Sequence, residues 1–231
     1  GVLRAAGVGP FASIISSGKL AERDRILVAE FANRTGDAGL GDLITDALRT
    51  DLTQSKSVRV VARGDIVAAL ARMEKPGATV DSALAIELAQ RQGIPAVMLG
   101  TIQRLGKSVV IRTRLVTPAG DELAAFRETA DGDEDVIAAV DRLSKAMRRA
   151  LGESLRGVAA APALEQVSTA SLPALRAYTA AIRTTESLSP DAMRKEVALL
   201  DSAVRLDSTF AMAWRRLGVR LVSTQMDVAR G

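Results

Sequence analysis

The sequence contains no cysteine and no histidine. Without thiols there is no disulfide, and the redox state of the compartment is irrelevant to folding. Without imidazole or thiolate, most nucleophile–base pairs and almost every zinc or transition-metal site are excluded, so no metal and no cofactor is expected. Aromatic residues make up 3% of a chain that is 48% hydrophobic. The core must therefore be built from Ala, Val, Leu and Ile, which suits helices packed on a sheet. Nothing approaches the roughly 20 apolar residues of a membrane helix. The stretch Val8–Ile15 is short and holds Pro10, and residues 1–24 read as a docked or juxtamembrane segment with Lys19, Glu22, Arg23 and Asp24 at its polar exit. The net charge of +4 comes from arginines scattered along the chain. A nucleic-acid surface needs them clustered with interleaved aromatics, so no nucleic-acid partner is expected.

What is present is an ordinary globular pattern, 25% charged over 231 residues, enough for one good core and a smaller second unit. Arg25–Ala32 reads as a buried strand that stops at the turn residues Asn33-Arg-Thr-Gly-Asp37. A helix over Asp42–Gln54 carries Leu43, Ala47, Leu48 and Leu52 on one face and Thr50 and Asp51 on the other. A second strand, Val58–Ala62, closes at Arg63-Gly64. Ile66, Val67, Leu70 and Met73 then mark a second helix, and a third runs from the N-cap Asp81 to Gln92 with Gly93 behind it.

Ala96–Ile102, Val109–Val116 and Glu122–Thr129, joined by short turns, predict an antiparallel meander. On the middle strand Thr113 reads as half-buried at an edge, and Arg112 and Arg114 as outward and solvated. The longest helix is predicted over Asp133–Leu155. Its far face carries Arg142, Lys145, Arg148, Arg149 and Arg156, readable as a basic surface for an acidic partner or membrane, or as a wet face. The predicted fold class is α/β, a mixed sheet of about five strands packed with helices over residues 25–158. A linker over 159–170 and an all-α segment over 171–231 follow.

Two resemblances sharpen this. Leu199–Gly218 is similar to the junction between tetratricopeptide repeats. Ala203 is the small residue of one helix and Leu206-Asp207 its end; Ala213-Trp214 and Leu217-Gly218 open the next repeat, with Ser208 where the family usually has Pro. Tyr178 and Trp214 are expected to pack between helices. About one and a half repeats fit, and stable arrays need about three, which implies more repeats in the parent protein.

More loosely, Ile26–Phe31, Asn33–Asp37, Val60–Arg63, Val97–Gly100 and Arg112–Val116 with Gly120 fall in the order of the amino-terminal α/β domain of TolB. The link Ser168–Tyr178 is similar to the extracytoplasmic half of bacterial membrane-anchored serine/threonine protein kinases. The resemblance implies a non-enzymatic sensor and protein-interaction region on the periplasmic side of an inner membrane. Such a region meets a protein or peptide partner through its helical repeats and is capable of self-association. The alternative is an intracellular accessory domain of an adenylate cyclase or winged-helix regulator. No His-Arg-Asp, Asp-Phe-Gly or glycine-rich phosphate loop is present.

The candidate site is Asn33, Arg34, Thr35 and Asp37, which stand where α/β sheets bind ligands, at the carboxyl end of the first strand. The competing reading is a helix-entry turn, which needs the same residue types. Glu30, Asp37 and Asp42 would have to converge on one cleft for a hydrolase.

Overall fold

The computed structural model describes residues 13–184 and 189–228. The first half of the 1–24 segment, including Pro10, and the helix end expected near Glu186 lie outside them. Among the described residues no helix is long and apolar enough to cross a membrane. The chain divides between Pro162 and Ala163 into two compact units.

The first unit is an α/β fold around a six-stranded mixed sheet: β1 (Asp24–Val28), β2 (Ala32–Arg34), β3 (Val58–Val60), β4 (Ala96–Leu105), β5 (Ser108–Val116) and β6 (Glu122–Ala130), in the order β3-β1-β4-β5-β6 with β2 also on β4. β1 runs parallel to β3 and β4, and β4-β5-β6 is the antiparallel meander that the alternation predicted. The expected single strand over 25–32 is instead two, both laid along β4. Val28 pairs with Met98 and Ala32 with Thr101, so one extra residue bulges out. The cause is Phe31, whose ring turns onto the backbone of Gly100; a Cβ at Gly100 would fall inside that ring. Asn33 and Arg34, read as turn residues, belong to β2.

The helices are α1 (Ala38–Leu52), α2 (Arg63–Arg72), α3 (Ser82–Gln92), α4 (Val136–Leu151, after a 3-10 turn Asp133–Asp135) and α5 (Leu155–Ala160). α3 is the simplest to explain. Asp81 accepts from the Leu84 N–H at 2.9 Å, a cap worth about 1 kcal/mol, and Gly93 ends the helix at φ +60°. Arg63-Gly64 does not close a strand but opens α2, on which Val67 faces solvent at 51% exposure. α1 begins at Ala38 rather than Asp42, because Asp37 caps it. The longest predicted helix breaks at Gly152, in the left-handed region at φ +109°.

Alternation gives the sheet two faces. On one, Leu27, Val97, Leu99 and Val116 pack with Ile66 and Leu70 of α2 and Ala85, Leu88 and Ala89 of α3. On the other, α1 and α4 pack together and α4 lies along β6. Three polar side chains are deeper than their sequence reading. Thr113 is 1% exposed, because β5 is flanked on both sides and is no edge. Asp51 is 1% exposed in α1, with Ser144 of α4 beside it. Arg148, expected on a wet face, is 2% exposed and bonded through Nε and an Nη to Glu153 at 3.0 and 2.8 Å.

The second unit holds α6 (Leu164–Val167), α7 (Leu172–Thr184), α8 (Pro190–Leu206) and α9 (Ala211–Val228). α7 packs on α8, and α8 on α9. Tyr178 is buried against Phe210, ring centroids 4.9 Å apart and tilted 54°, while the small Ala203 and Ala213 are fully buried. Asp207 ends α8 and accepts from Thr169 Oγ1 and from the Thr209 N–H and hydroxyl; these bonds hold its carboxyl below the ordinary range. The Glu196 carboxylate, 1% exposed, receives Arg216 and Arg220 of α9, each at 2.8 Å. Trp214 does not pack as expected. It is 51% exposed, with its indole N–H donating to the Ser208 carbonyl at 2.9 Å.

Candidate ligand-binding face

The four residues chosen from sequence stand together at the joint of β2 and α1. Asn33 Nδ2 donates to the Asp37 carbonyl at 2.7 Å, and its Oδ1 accepts from the Thr35 hydroxyl at 2.7 Å and the Thr35 N–H at 3.1 Å. Thr35 Oγ1 accepts in turn from the Asp37 N–H at 3.2 Å, and Asp37 Oδ1 accepts from the Gly39 N–H at 3.2 Å. Asn33 also presses on α1, where a Cβ at Gly41 would lie 2.8 Å from the Asn33 Cβ. The polar groups of Asn33, Thr35 and Asp37 thus close the loop and start the helix, and Arg34 alone of the four is exposed without such a bond.

Glu30 turns to Arg49, 3.6 Å away, and that arginine also pairs with Asp46 and donates to the Val28 carbonyl at 3.1 Å. Neither the cleft against β4-β5-β6 nor the one beside α2 and α3 has Glu30, Asp37 or Asp42 in its lining. Among the described residues no cluster of three carboxylates could hold a metal ion.

The open feature of this unit lies elsewhere. α2 and α3 cover the β3-β1-β4 side of their face and stop at Leu99. Beyond them β4, β5 and β6 present a bare strip, and against it opens a cleft of about 420 Å³. Its floor follows from the register. One cross-strand row is Leu99, Arg114 and Ala125; the next is Thr101, Arg112 and Arg127. Ser82, the first residue of α3, forms the rim.

Arg112 and Arg127 are directly opposed, an arrangement that destabilises a sheet by about 0.2–1 kcal/mol unless something neutralises it. Neither has an ion pair among the described residues; Arg112 has only a long 3.5 Å bond to Gln103 Oε1. Arg114 reaches Glu122 at 3.9 Å, both side chains mostly in water. Three guanidiniums over an apolar floor make a cationic face, with the hydroxyls of Ser82 and Thr101 beside them and no carboxylate in its lining. Arg112 and Arg114 were correctly oriented by alternation alone. Arg127 was missed, because placing it needs the β5–β6 register; counting alternation back from the Pro118–Asp121 turn is the signal that finds it.

No family model matches the chain, and no curated protein matches it. Among solved structures it is similar to the C-terminal domain of LpoB from Salmonella enterica, at 16% identity and a TM-score of 0.43, over 51% of this chain and 89% of that one. It is also similar to the lipoprotein GNA1162 from Neisseria meningitidis, at 20% identity and a TM-score of 0.38, over 46% and 78% of the two chains. For TolB from Acinetobacter baumannii the values are 17% and 0.40, over 57% of this chain and 29% of that one. Likeness of this order concerns the path of the chain alone.

Proposed function

We propose that this chain is a non-catalytic recognition region of a larger bacterial signalling protein, the extracytoplasmic part of a membrane-anchored serine/threonine kinase. The α/β unit receives a ligand, and the helical unit, a tetratricopeptide-like array, meets a protein partner. The observation that carries the reading is the bare arginine strip on β4-β5-β6, a cationic surface whose lining holds no carboxylate, histidine or cysteine. The repeat part is supported by sequence resemblance, with Leu206-Asp207 ending α8 and Tyr178 and Ala203 buried; the kinase part rests on the resemblance of Ser168–Tyr178 alone.

The test is photo-crosslinking in cells. A diazirine side chain at Ala125, on the floor of the cleft, should give an adduct of one defined added mass by intact mass spectrometry. The same side chain at Val67, on the outer face of α2, should give none. Equal labelling at both positions, or none at Ala125, would remove the strip as a recognition surface.

A further inference from the structure

From the chemistry of the strip, and resting on the recognition reading, we infer that its ligand is a small organic oxyanion, a carboxylate or phosphate ester with a short apolar body.

Four observations converge on that class. The cleft of about 420 Å³ has the size of small-ligand sites, roughly 300–1,000 Å³, and is too small to seat a folded partner. Its polar groups are cationic or neutral donors: Arg112, Arg114 and Arg127, with the hydroxyls of Thr101 and Ser82 at the edge. Guanidinium matches a carboxylate or phosphate by two parallel N–H···O bonds, and the Arg112–Arg127 pair offers two such forks side by side. The floor beside them is apolar, Leu99 and Ala125 lying in the adjoining row, so the ligand has an uncharged part to bury.

Carboxylates near the cleft do not cancel this field. Glu122 engages only Arg114, at long range, and Asp81 is spent capping the first turn of α3. An oxyanion between Arg112 and Arg127 would neutralise the like-charge contact that the protein itself leaves in place.

The experiment is a titration of the whole chain, followed by amide shifts and calorimetry, with phenyl phosphate, benzoate, inorganic phosphate and benzyl alcohol. Phenyl phosphate or benzoate should saturate at millimolar concentration or below, and whichever binds more tightly names the source as phosphate ester or carboxylate. Benzyl alcohol should not saturate, and inorganic phosphate should bind more weakly than its phenyl ester. Arg112→Gln and Arg127→Gln should each weaken binding about ten-fold, the loss of a charge-assisted bond. Their melting temperatures should hold or rise, because the like-charge contact is relieved. That combination separates a ligand contact from a structural role.

The inference is overturned if no oxyanion saturates, if benzyl alcohol binds as well as benzoate, or if both arginine variants bind like the parent chain. An adduct at position 125 in cells together with no oxyanion binding would sink this inference and leave the recognition reading standing. Oxyanion binding with no adduct would leave the oxyanion affinity of the strip standing as a property of the chain and sink its role in recognition in the cell.

Discussion

Arg148→Met should be among the most damaging single changes in the α/β unit. Arg148 is almost wholly enclosed, and Glu153, its partner, is little more exposed. Burial pushes the Glu153 carboxyl up, but the Arg148 bonds, the Ser55 hydroxyl and the guanidinium charge outweigh it and hold the group below the ordinary range. The same carboxylate accepts from Ser55 after α1, so the pair ties the end of α4 to the turn that leads into β3. Removing the cation leaves a buried carboxylate without its counter-ion, which costs about 3–5 kcal/mol. At roughly 2–4 °C per kcal/mol for a unit of this size, the melting temperature should fall by roughly 6–20 °C at neutral pH.

The double variant R148M/E153M carries no buried charge and should recover most of that loss. Acid provides a second check. A carboxyl whose folded pKa is depressed contributes stability that is full above its unfolded value, about 4.3, and is lost as pH falls through the folded value. The gap between parent and R148M should therefore narrow on acidification, because protonating Glu153 removes the orphaned charge. Circular-dichroism melts of the three proteins across pH measure all of this. If R148M melts with the parent, or the double variant is no better than the single, the pair is not what joins these elements.

Burial is the leading cause that pushes the Asp51 carboxyl up, offset in part by Ser144 and the charges of Arg148 and Lys145 and reinforced by Asp141. Its folded pKa is raised, so its share of stability is present below the unfolded value and lost as pH rises through the folded one. Asp51→Asn should then raise the melting temperature at neutral pH and converge on the parent towards pH 4; a constant gap across pH would contradict this. Gly100→Ala forces a methyl into the Phe31 ring and should cost about 1–3 kcal/mol, with F31L in the same chain recovering part of it. Strictly additive losses in denaturant melts would show that the two do not touch. In the helical unit, Glu196→Gln leaves Arg216 and Arg220 without their shared carboxylate. It should cost about 3 kcal/mol, read by chemical denaturation, and an unchanged midpoint would refute the buried pairing.

The elements legible in the sequence are those whose causes are local. α3 is specified by Asp81 before it and Gly93 after it, and the meander by alternation between short turns. What escaped is what depends on distant partners. The break between β1 and β2 exists because Phe31 finds a bare backbone at Gly100, far along the chain. Asp51 looked solvated because a helical wheel shows one buried stripe, whereas α1 is also covered along a second side by α4. Thr113 read as half-buried from its hydroxyl on an otherwise apolar face, yet on the middle strand of the meander it is enclosed. The Asn33–Asp37 loop was legible as a helix entry, and the same residue types made it attractive as a site. The cleft was not legible, because no residue in it is unusual by itself; it exists where helix cover ends.

Departures from local rules are informative when one asks where their compensation lies. Thr113 Oγ1 and one Asp51 oxygen are buried without a hydrogen-bond partner. Each such atom costs about 1–3 kcal/mol, but both sit within the packed interior, where burial of the surrounding apolar groups offsets the loss. The opposed Arg112 and Arg127 are different. They lie on an exposed strand surface where a single acidic or neutral substitution would relieve the repulsion at no cost in packing, and no described acidic group neutralises either one. The proposed oxyanion has the charge and the geometry to offset that repulsion from outside the chain.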